Sequence, residues 1–102
     1  MSSKQNKLEY GFMEIRITHV KIYPFDSGEP TAQVKAYAEI ILEDCLTIRG
    51  FKIVQDKKGG IFVGFPSQKG KDGNYRDLVI PTTSEFRKKI RDEILDAFRK
   101  FY

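Results

Sequence analysis

The residues best suited to binding chemistry lie between two apolar runs in the stretch GIFVGFPSQKGKDGNYRDLVIP, residues 60–81. Its middle carries the basic residues Lys69, Lys71 and Arg76 and the aromatic residue Tyr75. Lysine and arginine side chains contact phosphate oxygens, and an aromatic ring can stack on a nucleic-acid base. This combination favours a surface that binds a polyanion.

The distribution of charge supports that interpretation. The formal net charge is +4, but residues 49–76 hold seven basic and two acidic side chains, a net +5. Residues 85–102 carry a net +2, and the rest of the chain is therefore net negative. A positive field confined to part of a chain attracts polyanions. The alternative is that lysines at hairpin tips only keep the protein soluble.

Enzymatic chemistry finds little support in the residue types. The chain has one cysteine, Cys45, and one histidine, His19, too few for a zinc site or a histidine-dependent triad. The glycines match no phosphate-binding loop, and Asp72-Gly73 is turn chemistry. No nucleophile, base and orienting group stand together. We therefore expect a protein that is not an enzyme and that uses no cofactor and no metal.

The length of 102 residues is that of one domain. Residues 1–12 are polar and predict a flexible N-terminal extension, followed by a single domain over residues 13–102. No apolar run is long enough to span a membrane, and the first residues, MSSKQNKLEYGF, lack the apolar core of a secretory signal. We expect a cytoplasmic protein without a membrane partner.

Alternating apolar residues from Met13 onward predict β-strands. The alternation changes phase at Thr18-His19 and again at Gly50, which indicates two β-bulges. The segment DKKGG, residues 56–60, predicts a hairpin tip. About five strands precede the last segment of the chain, with no crossover helices between them. The predicted fold class is α+β, an antiparallel sheet followed by a C-terminal helix.

The last segment, TTSEFRKKIRDEILDAFRKFY, predicts a helix of about 18 residues. Thr82 and Glu85 have the spacing of a capping box. Apolar residues form a stripe along the helix, with Arg87 and Arg91 at its edge. These two arginines are candidates for a basic groove, whereas the other charges of the helix fall largely into i,i+4 pairs such as Asp96 and Lys100.

The aromatic residues beside the basic loop have different expected roles. Phe65 alternates in phase with Val63, which favours a place in the core over one as a stacking surface. Tyr75 alternates opposite Arg76 and is the better candidate for stacking. Gly64 is interpreted as a bulge, and Pro66 as the end of a strand.

A specific motif runs through the same stretch: Phe62-Val63, Pro66-Ser67, a short basic loop, Asp72-Gly73-x-Tyr75-Arg76-Asp77, and Pro81. In these residues, and over the region from Met13 to Tyr102, the chain resembles the stage V sporulation protein G (SpoVG) family of septation regulators. The family has Lys-Arg after Pro-Ser. Here Gln68 replaces the first basic residue, and Lys71 adds one beyond Lys69.

The resemblance implies a small bacterial cytoplasmic protein that binds DNA and RNA and acts in septation, sporulation and gene regulation. It places nucleic-acid contacts in the basic loop, on the helix and on the strand that contains Lys52. Together with the charge pattern, this predicts the following nucleic-acid-binding residues: Lys52, Lys69, Lys71, Arg76, Arg87, Lys88 and Arg91.

The resemblance also implies a homodimer. Independently, a small sheet with one helix leaves strand edges and apolar surface to cover, and pairing of edge strands across a twofold axis would cover them. The choice between duplex DNA, single strands and RNA stays open at this point. The alternative function is a dimeric protein–protein interaction module that acts on cell-division or sporulation proteins without binding nucleic acid.

Overall fold

The computed structural model describes residues 15–25 and 33–101. The described residues form an antiparallel α+β fold, which confirms the predicted class and the C-terminal helix. The predicted extension, residues 1–12, lies outside the described residues. The elements are β1 (Ile17–Pro24), β2 (Val34–Leu42), β3 (Leu46–Gln55), β4 (Ile61–Gly64), β5 (Ser67–Lys69), β6 (Tyr75–Asp77) and α1 (Ser84–Phe101).

The strands form two sheets where about five strands in one sheet were predicted. The main sheet has the order β1-β2-β3-β4, with every neighbouring pair antiparallel. Strands β5 and β6 form a separate two-stranded ribbon, which we call the β5–β6 hairpin, residues 67–77. The division falls at Pro66, which is buried and has no backbone N–H to continue the ladder of β4.

Helix α1 packs against one face of the main sheet. Alternate residues of β2 and β3 point toward it, as expected for strands with one buried face. The residues buried in this core are Ala36, Ala38, Ile40, Leu42, Phe51, Ile53, Phe65, Ile90, Ile94 and Phe98. Among the described residues, no helix is both long and apolar enough to cross a membrane.

Both predicted bulges are confirmed. The pairing of β1 with β2 shifts between Ile17 and His19. In β3, the pairing with β2 skips one residue around Gly50, which has a φ of 100°. This conformation favours glycine because it has no Cβ. By contrast, the pairing of β4 with β3 shows no shift at Gly64, so the predicted bulge there is wrong and Gly64 simply ends β4.

The predicted helix start is off by one residue. Helix α1 begins at Ser84, and the Oγ1 of Thr83 accepts the backbone N–H of Phe86 at 3.1 Å. Thr83 is therefore the N-cap, and Thr82 precedes it. Glu85 keeps a favourable place in the first turn, where its charge opposes the positive end of the helix dipole.

The turn between β2 and β3 holds two non-glycine residues with positive φ, Glu43 at 52° and Asp44 at 55°. Two successive positive φ angles match the right-handed twist of a hairpin. Arg16 supports the turn, because its backbone N–H donates to Glu43 at 2.7 Å and its guanidinium lies 3.0 Å from the same carboxylate. Thr18 adds a bond by accepting the N–H of Asp44.

Candidate nucleic-acid interface

The β5–β6 hairpin presents the central residues of the basic loop on two faces. Successive residues of a strand point to opposite faces, and directly paired residues of neighbouring strands share a face. The hairpin therefore carries Lys69 and Tyr75 on one face and Arg76 on the other. The paired residues are Ser67 with Asp77, Gln68 with Arg76, and Lys69 with Tyr75.

The tip of the hairpin is an ordered turn. Gly70 donates its N–H to the carbonyl of Asn74 at 2.8 Å, and Gly73 donates to the carbonyl of Gly70 at 3.0 Å. Gly73 has a φ of 84°, and Asp72 accepts the N–H of Asn74 at 3.1 Å. The predicted Asp-Gly turn is thus confirmed, and Lys71 is held in a defined turn.

Arg76 folds back onto this turn. Its guanidinium contacts Asp72 through two N–O pairs, of 2.8 and 3.4 Å. The bonds from Arg76, followed by the backbone N–H of Asn74, hold the pKa of Asp72 below its ordinary value. A Cβ on Gly70 would stand 2.5 Å from the Arg76 guanidinium, so glycine leaves the space that the ion pair occupies. The charge of Arg76 is therefore already compensated.

Arg87 connects the base of the hairpin to the helix. Its guanidinium carbon lies 4.4 Å from the centroid of the Phe65 ring, and an N–O distance of 3.5 Å separates it from Asp77 of β6. Phe65 is buried and packs edge-on against Phe51 at 5.2 Å between centroids. The predicted core role of Phe65 is confirmed. Arg87 lies at the helix edge as expected, but with part of its charge engaged.

The other two helix candidates share one acid. Lys88 Nζ lies 2.6 Å from Asp92, and Arg91 Nε lies 3.9 Å from the same carboxylate. The bond from Lys88 is the first cause of the lowered pKa of Asp92. Because these pairs are exposed, each contributes little to stability and can rearrange when another anion approaches.

The lysines form a different group. Lys52, Lys69 and Lys71 are exposed, and none has an ion-pair partner among the residues that the structure describes. Lys69 and Lys71 belong to the hairpin beside Tyr75, whose surface is 65% exposed. Lys52 belongs to another surface, because it lies on β3 between the buried residues Phe51 and Ile53 and points away from helix α1.

One contact that positions the hairpin was not predicted. A Cβ placed on Gly50 would lie 3.3 Å from the Cβ of Pro66. Glycine at the bulge in β3 therefore leaves the room that Pro66 needs to pack against this strand. Pro66 directly precedes the hairpin. The two signals, a glycine bulge and a strand-ending proline, were both visible in the sequence, but their contact across the fold was not.

A set of exposed aromatic side chains was likewise not predicted from the sequence. Two of them lie on β1 or directly after it, one on β2 and one on β4, and all four point away from helix α1. The sequence signal that could have revealed them was their alternation with core residues. We call this surface the helix-free face, defined by Tyr23, Phe25, Tyr37, Lys52 and Phe62.

The rest of the described surface offers weaker chemistry. An open groove of about 230 Å³ lies between β1 and the end of α1, with Thr18, His19 and Glu93 among its lining residues. His19 also lies 3.3 Å from Asp44. Within residues 15–25 and 33–101, no three His, Cys, Asp or Glu side chains are placed to hold a metal ion.

A four-stranded antiparallel sheet, one C-terminal helix on one face and a separate two-stranded hairpin that carries lysines define a small α+β protein. The SpoVG family model matches residues 13–100, so the chain belongs to the SpoVG family. This confirms the resemblance inferred from the motif around Pro66 and Asp72.

Curated relatives agree with the family model. A Bdellovibrio bacteriovorus protein is 37% identical over 86 residues, which cover 84% of this chain and 75% of that protein. An Archaeoglobus fulgidus protein is 36% identical over 84 residues, or 82% of this chain and 94% of that protein. A Symbiobacterium thermophilum protein is 39% identical over 84 residues, or 82% of this chain but only 57% of that protein. All three are named, provisionally, septation protein SpoVG.

Proposed function

We propose that this protein is a homodimeric, cytoplasmic regulator that binds DNA or RNA through the β5–β6 hairpin and acts in septation, cell division and sporulation. The observation that carries the proposal is the pair of exposed lysines, Lys69 and Lys71, in an ordered hairpin without acidic partners among the described residues. The regulatory process is taken from the family and from the names of the relatives. Those names describe septation and not a reaction, in keeping with a function other than catalysis.

The order of the hairpin matters for binding. A lysine on a disordered loop loses conformational entropy when it contacts a phosphate, whereas a lysine on a closed turn has lost part of it already. Lys69 shares its face of the ribbon with Tyr75, so a phosphate and a neighbouring base have adjacent partners. Arg87, at the base of the hairpin, can extend the contact toward the helix.

The basic residues that are already paired with acids make a second, weaker contribution to nucleic-acid binding. Arg76, Lys88 and Arg91 already contact acidic residues, and a phosphate must compete with Asp72 or Asp92 for them. They support a positive field without being as available as the lysines. We expect sequence preference to depend on the hairpin, which carries Gln68 where the family motif has a basic residue.

Dimer formation is part of the proposal. Strand β4 pairs with β3 on one side, and no described strand lies on its other side. Leu78 and Ile80, which follow the hairpin, are 63% and 65% exposed. Pairing of two β4 edges across a twofold axis would satisfy the free backbone groups, and the exposed apolar residues supply contact area.

Leu78 and Ile80 also favour the second candidate function, a module that binds division or sporulation proteins. Exposed apolar residues beside a charged hairpin are a common composition for a protein interface. In that case the lysines provide solubility, and nucleic-acid affinity at low salt is absent.

A binding titration against labelled duplex and single-stranded probes over a series of salt concentrations tests the proposal. If about four to six phosphates are contacted per dimer, log K falls linearly with log salt, by about 0.9 per phosphate on duplex DNA and about 0.7 on single strands. Absence of binding at about 50 mM salt, where such contacts are strongest, would contradict nucleic-acid binding and favour the interaction module.

The Lys69→Ala/Lys71→Ala variant tests the hairpin, and the chain offers a matched control. Lys57→Ala/Lys58→Ala removes two lysines from the tip between β3 and β4, with the same change in charge. We expect the hairpin variant to lose affinity for every probe sequence and the control to lose much less. Equal losses would mean that only net charge matters. Sedimentation and circular dichroism check that both variants keep the fold and oligomeric state.

A further inference from the structure

The helix-free face of the main sheet has no covering element among the described residues. Tyr23 of β1 pairs with Tyr37 of β2, and Tyr37 pairs with Lys52 of β3. Lys52 pairs in turn with Gly64 of β4, so the row ends on a residue without a side chain. Directly paired residues share a face, and the row therefore crosses the whole sheet on the side away from α1.

Further aromatic side chains flank this row. Phe25 packs edge-on against Tyr37, with 5.5 Å between ring centroids. Phe62 lies two residues before Gly64 on β4 and so points to the same face. The four rings keep between 38% and 48% of their surface exposed. Aromatic rings of this size are usually buried, and a cluster of them on an open sheet face marks a binding surface.

The negative charge of Glu39, which lies near this surface, is compensated by its neighbours. Glu39 lies 2.6 Å from the Nε of Arg49 and accepts the hydroxyl of Tyr23 at 2.8 Å. The hydroxyl of Tyr23, then the charge of Arg49, holds the pKa of Glu39 below its ordinary value, so it remains an ionised and paired carboxylate. The same bond fixes the orientation of the Tyr23 ring. Lys52, between Tyr37 and Gly64, has no such partner in the described chain.

We propose that the helix-free face stacks unpaired bases of a single-stranded nucleic acid, with Tyr37 and Phe62 as stacking surfaces and Lys52 as the phosphate contact between them. This inference rests on the proposed nucleic-acid function and names the substrate class: single strands, bound at a site separate from the hairpin. Stacking on aromatic side chains of an open sheet is an effective way to bind unpaired bases, because every base has a π-face.

The chemistry of the face argues against two other occupants. A duplex keeps its bases stacked on one another, so their faces are not available to Tyr37 or Phe62. A second copy of this chain docked face to face would bury Lys52 near an aromatic centre, whereas lysine is depleted from the cores of protein interfaces. Phosphate, by contrast, is the natural partner of an exposed lysine placed between two rings.

The site is compatible with the proposed dimer. Pairing of two β4 edges would extend the sheet without covering either face. Phe62 of one protomer would then lie near the join, and the row of rings would continue into the partner. The helix-free face would thus offer a longer track to a single strand than one protomer alone.

The test compares Tyr37→Leu and Phe62→Ala with the wild-type protein. The probes are oligothymidylate of about 16 nucleotides, the upper site size of a single-strand-binding module, and a DNA duplex of equal length. We expect each variant to lose roughly 5- to 150-fold in affinity for the oligothymidylate, the effect of one lost stack. Affinity for the duplex should change less than about twofold, since its charge contacts are intact.

Ile61→Ala is the matched control, because Ile61 neighbours Phe62 on β4 but points to the opposite face. Ile61 is 42% exposed, a fraction similar to that of Phe62. Its variant should bind both probes like the wild type. A second readout is tyrosine fluorescence, which can be followed because the chain has no tryptophan. Oligothymidylate should quench this fluorescence in the wild type and quench it less in Tyr37→Leu, which would report stacking on Tyr37 directly. Circular dichroism confirms that each variant is folded.

Each outcome separates this inference from the function on which it rests. If Tyr37→Leu and Phe62→Ala bind oligothymidylate as tightly as the wild type, the stacking site is overturned and hairpin binding stands. If Tyr37→Leu, which lies away from the β4 edge, becomes monomeric, the helix-free face is a subunit interface and the inference fails. If the wild-type protein binds neither probe at low salt, the proposed function fails, and the stacking site with it.

Discussion

The guanidinium of Arg87 lies against the ring of Phe65, with its central carbon 4.4 Å from the ring centroid. The contact joins helix α1 to the segment between β4 and the β5–β6 hairpin. Because Phe65 also packs on Phe51 of the main sheet, the arginine sits where helix, sheet and hairpin meet. A residue predicted only as a basic contact therefore also has a structural role.

The first prediction concerns that role. Arg87→Ala should lower the free energy of unfolding by about 0.5–1 kcal/mol through loss of the cation–π contact and stem packing. Arg91→Ala, at a helix position of similar exposure with only a 3.9 Å contact to Asp92, should change it less. Urea unfolding followed by circular dichroism measures both. Equal effects would show that the contact with Phe65 adds nothing to stability.

The second prediction concerns the competition for Arg76. Asp72→Asn removes the carboxylate but keeps an oxygen that can accept the N–H of Asn74, so the turn should persist. The released guanidinium should raise nucleic-acid affinity and steepen the salt dependence on duplex DNA by up to about 0.9 in the log–log slope. Asp56→Asn is the control, because Asp56 caps the other hairpin tip by accepting from Lys58 and Gly60. If both variants gain the same affinity for nucleic acid, the effect is due to net charge and not to the release of Arg76.

The third prediction concerns the space that Gly50 leaves for Pro66. Gly50→Ala should destabilise the protein by more than about 1 kcal/mol, because it combines a strained positive φ with a 3.3 Å approach to Pro66. Gly59→Ala has a similar φ of 89° but nothing within 4 Å of the added Cβ, and should cost less. Thermal unfolding compares the two. If Gly59→Ala lowers stability as much as Gly50→Ala does, the contact between Gly50 and Pro66 does not explain the effect.

The fourth prediction concerns pH. The backbone N–H and then the guanidinium of Arg16 lower the pKa of Glu43 in the folded protein. A carboxyl group whose folded pKa is depressed stabilises the fold fully above its unfolded pKa, about 4.3, and loses this contribution as pH falls through the folded value. The stability advantage of the wild type over Glu43→Gln should thus be constant from about pH 5 to 7.

Below about pH 4 that advantage should shrink, because Glu43 becomes protonated in the folded as well as the unfolded protein. Urea unfolding midpoints across this range measure it. An advantage that persists unchanged to pH 3 or grows on acidification would contradict the role assigned to the contact with Arg16.

Features that depend on neighbouring residues were predicted better from the sequence than features that depend on distant ones. The helix was predicted at its observed length because its 3.6-residue pattern is local. Its cap shifted from Thr82 to Thr83 because either threonine can serve as an N-cap, although only Thr82 has the capping-box spacing to Glu85. The Asp72-Gly73 turn was likewise a local feature. The strand end at Pro66 was visible in the sequence, but the separate sheet of β5 and β6 was not, because strand partners are chosen by contacts between segments that are distant along the chain.

The same distinction separates what the sequence determined from what the tertiary structure decided. Alternation, helix periodicity and turn residues determined an antiparallel sheet, a final helix and a basic hairpin, since each pattern acts between near neighbours. Only the folded chain decided that Arg87 is paired, because it meets Asp77 and Phe65, which are distant in sequence. It also decided which sheet face stays open, because a single helix covers only one face.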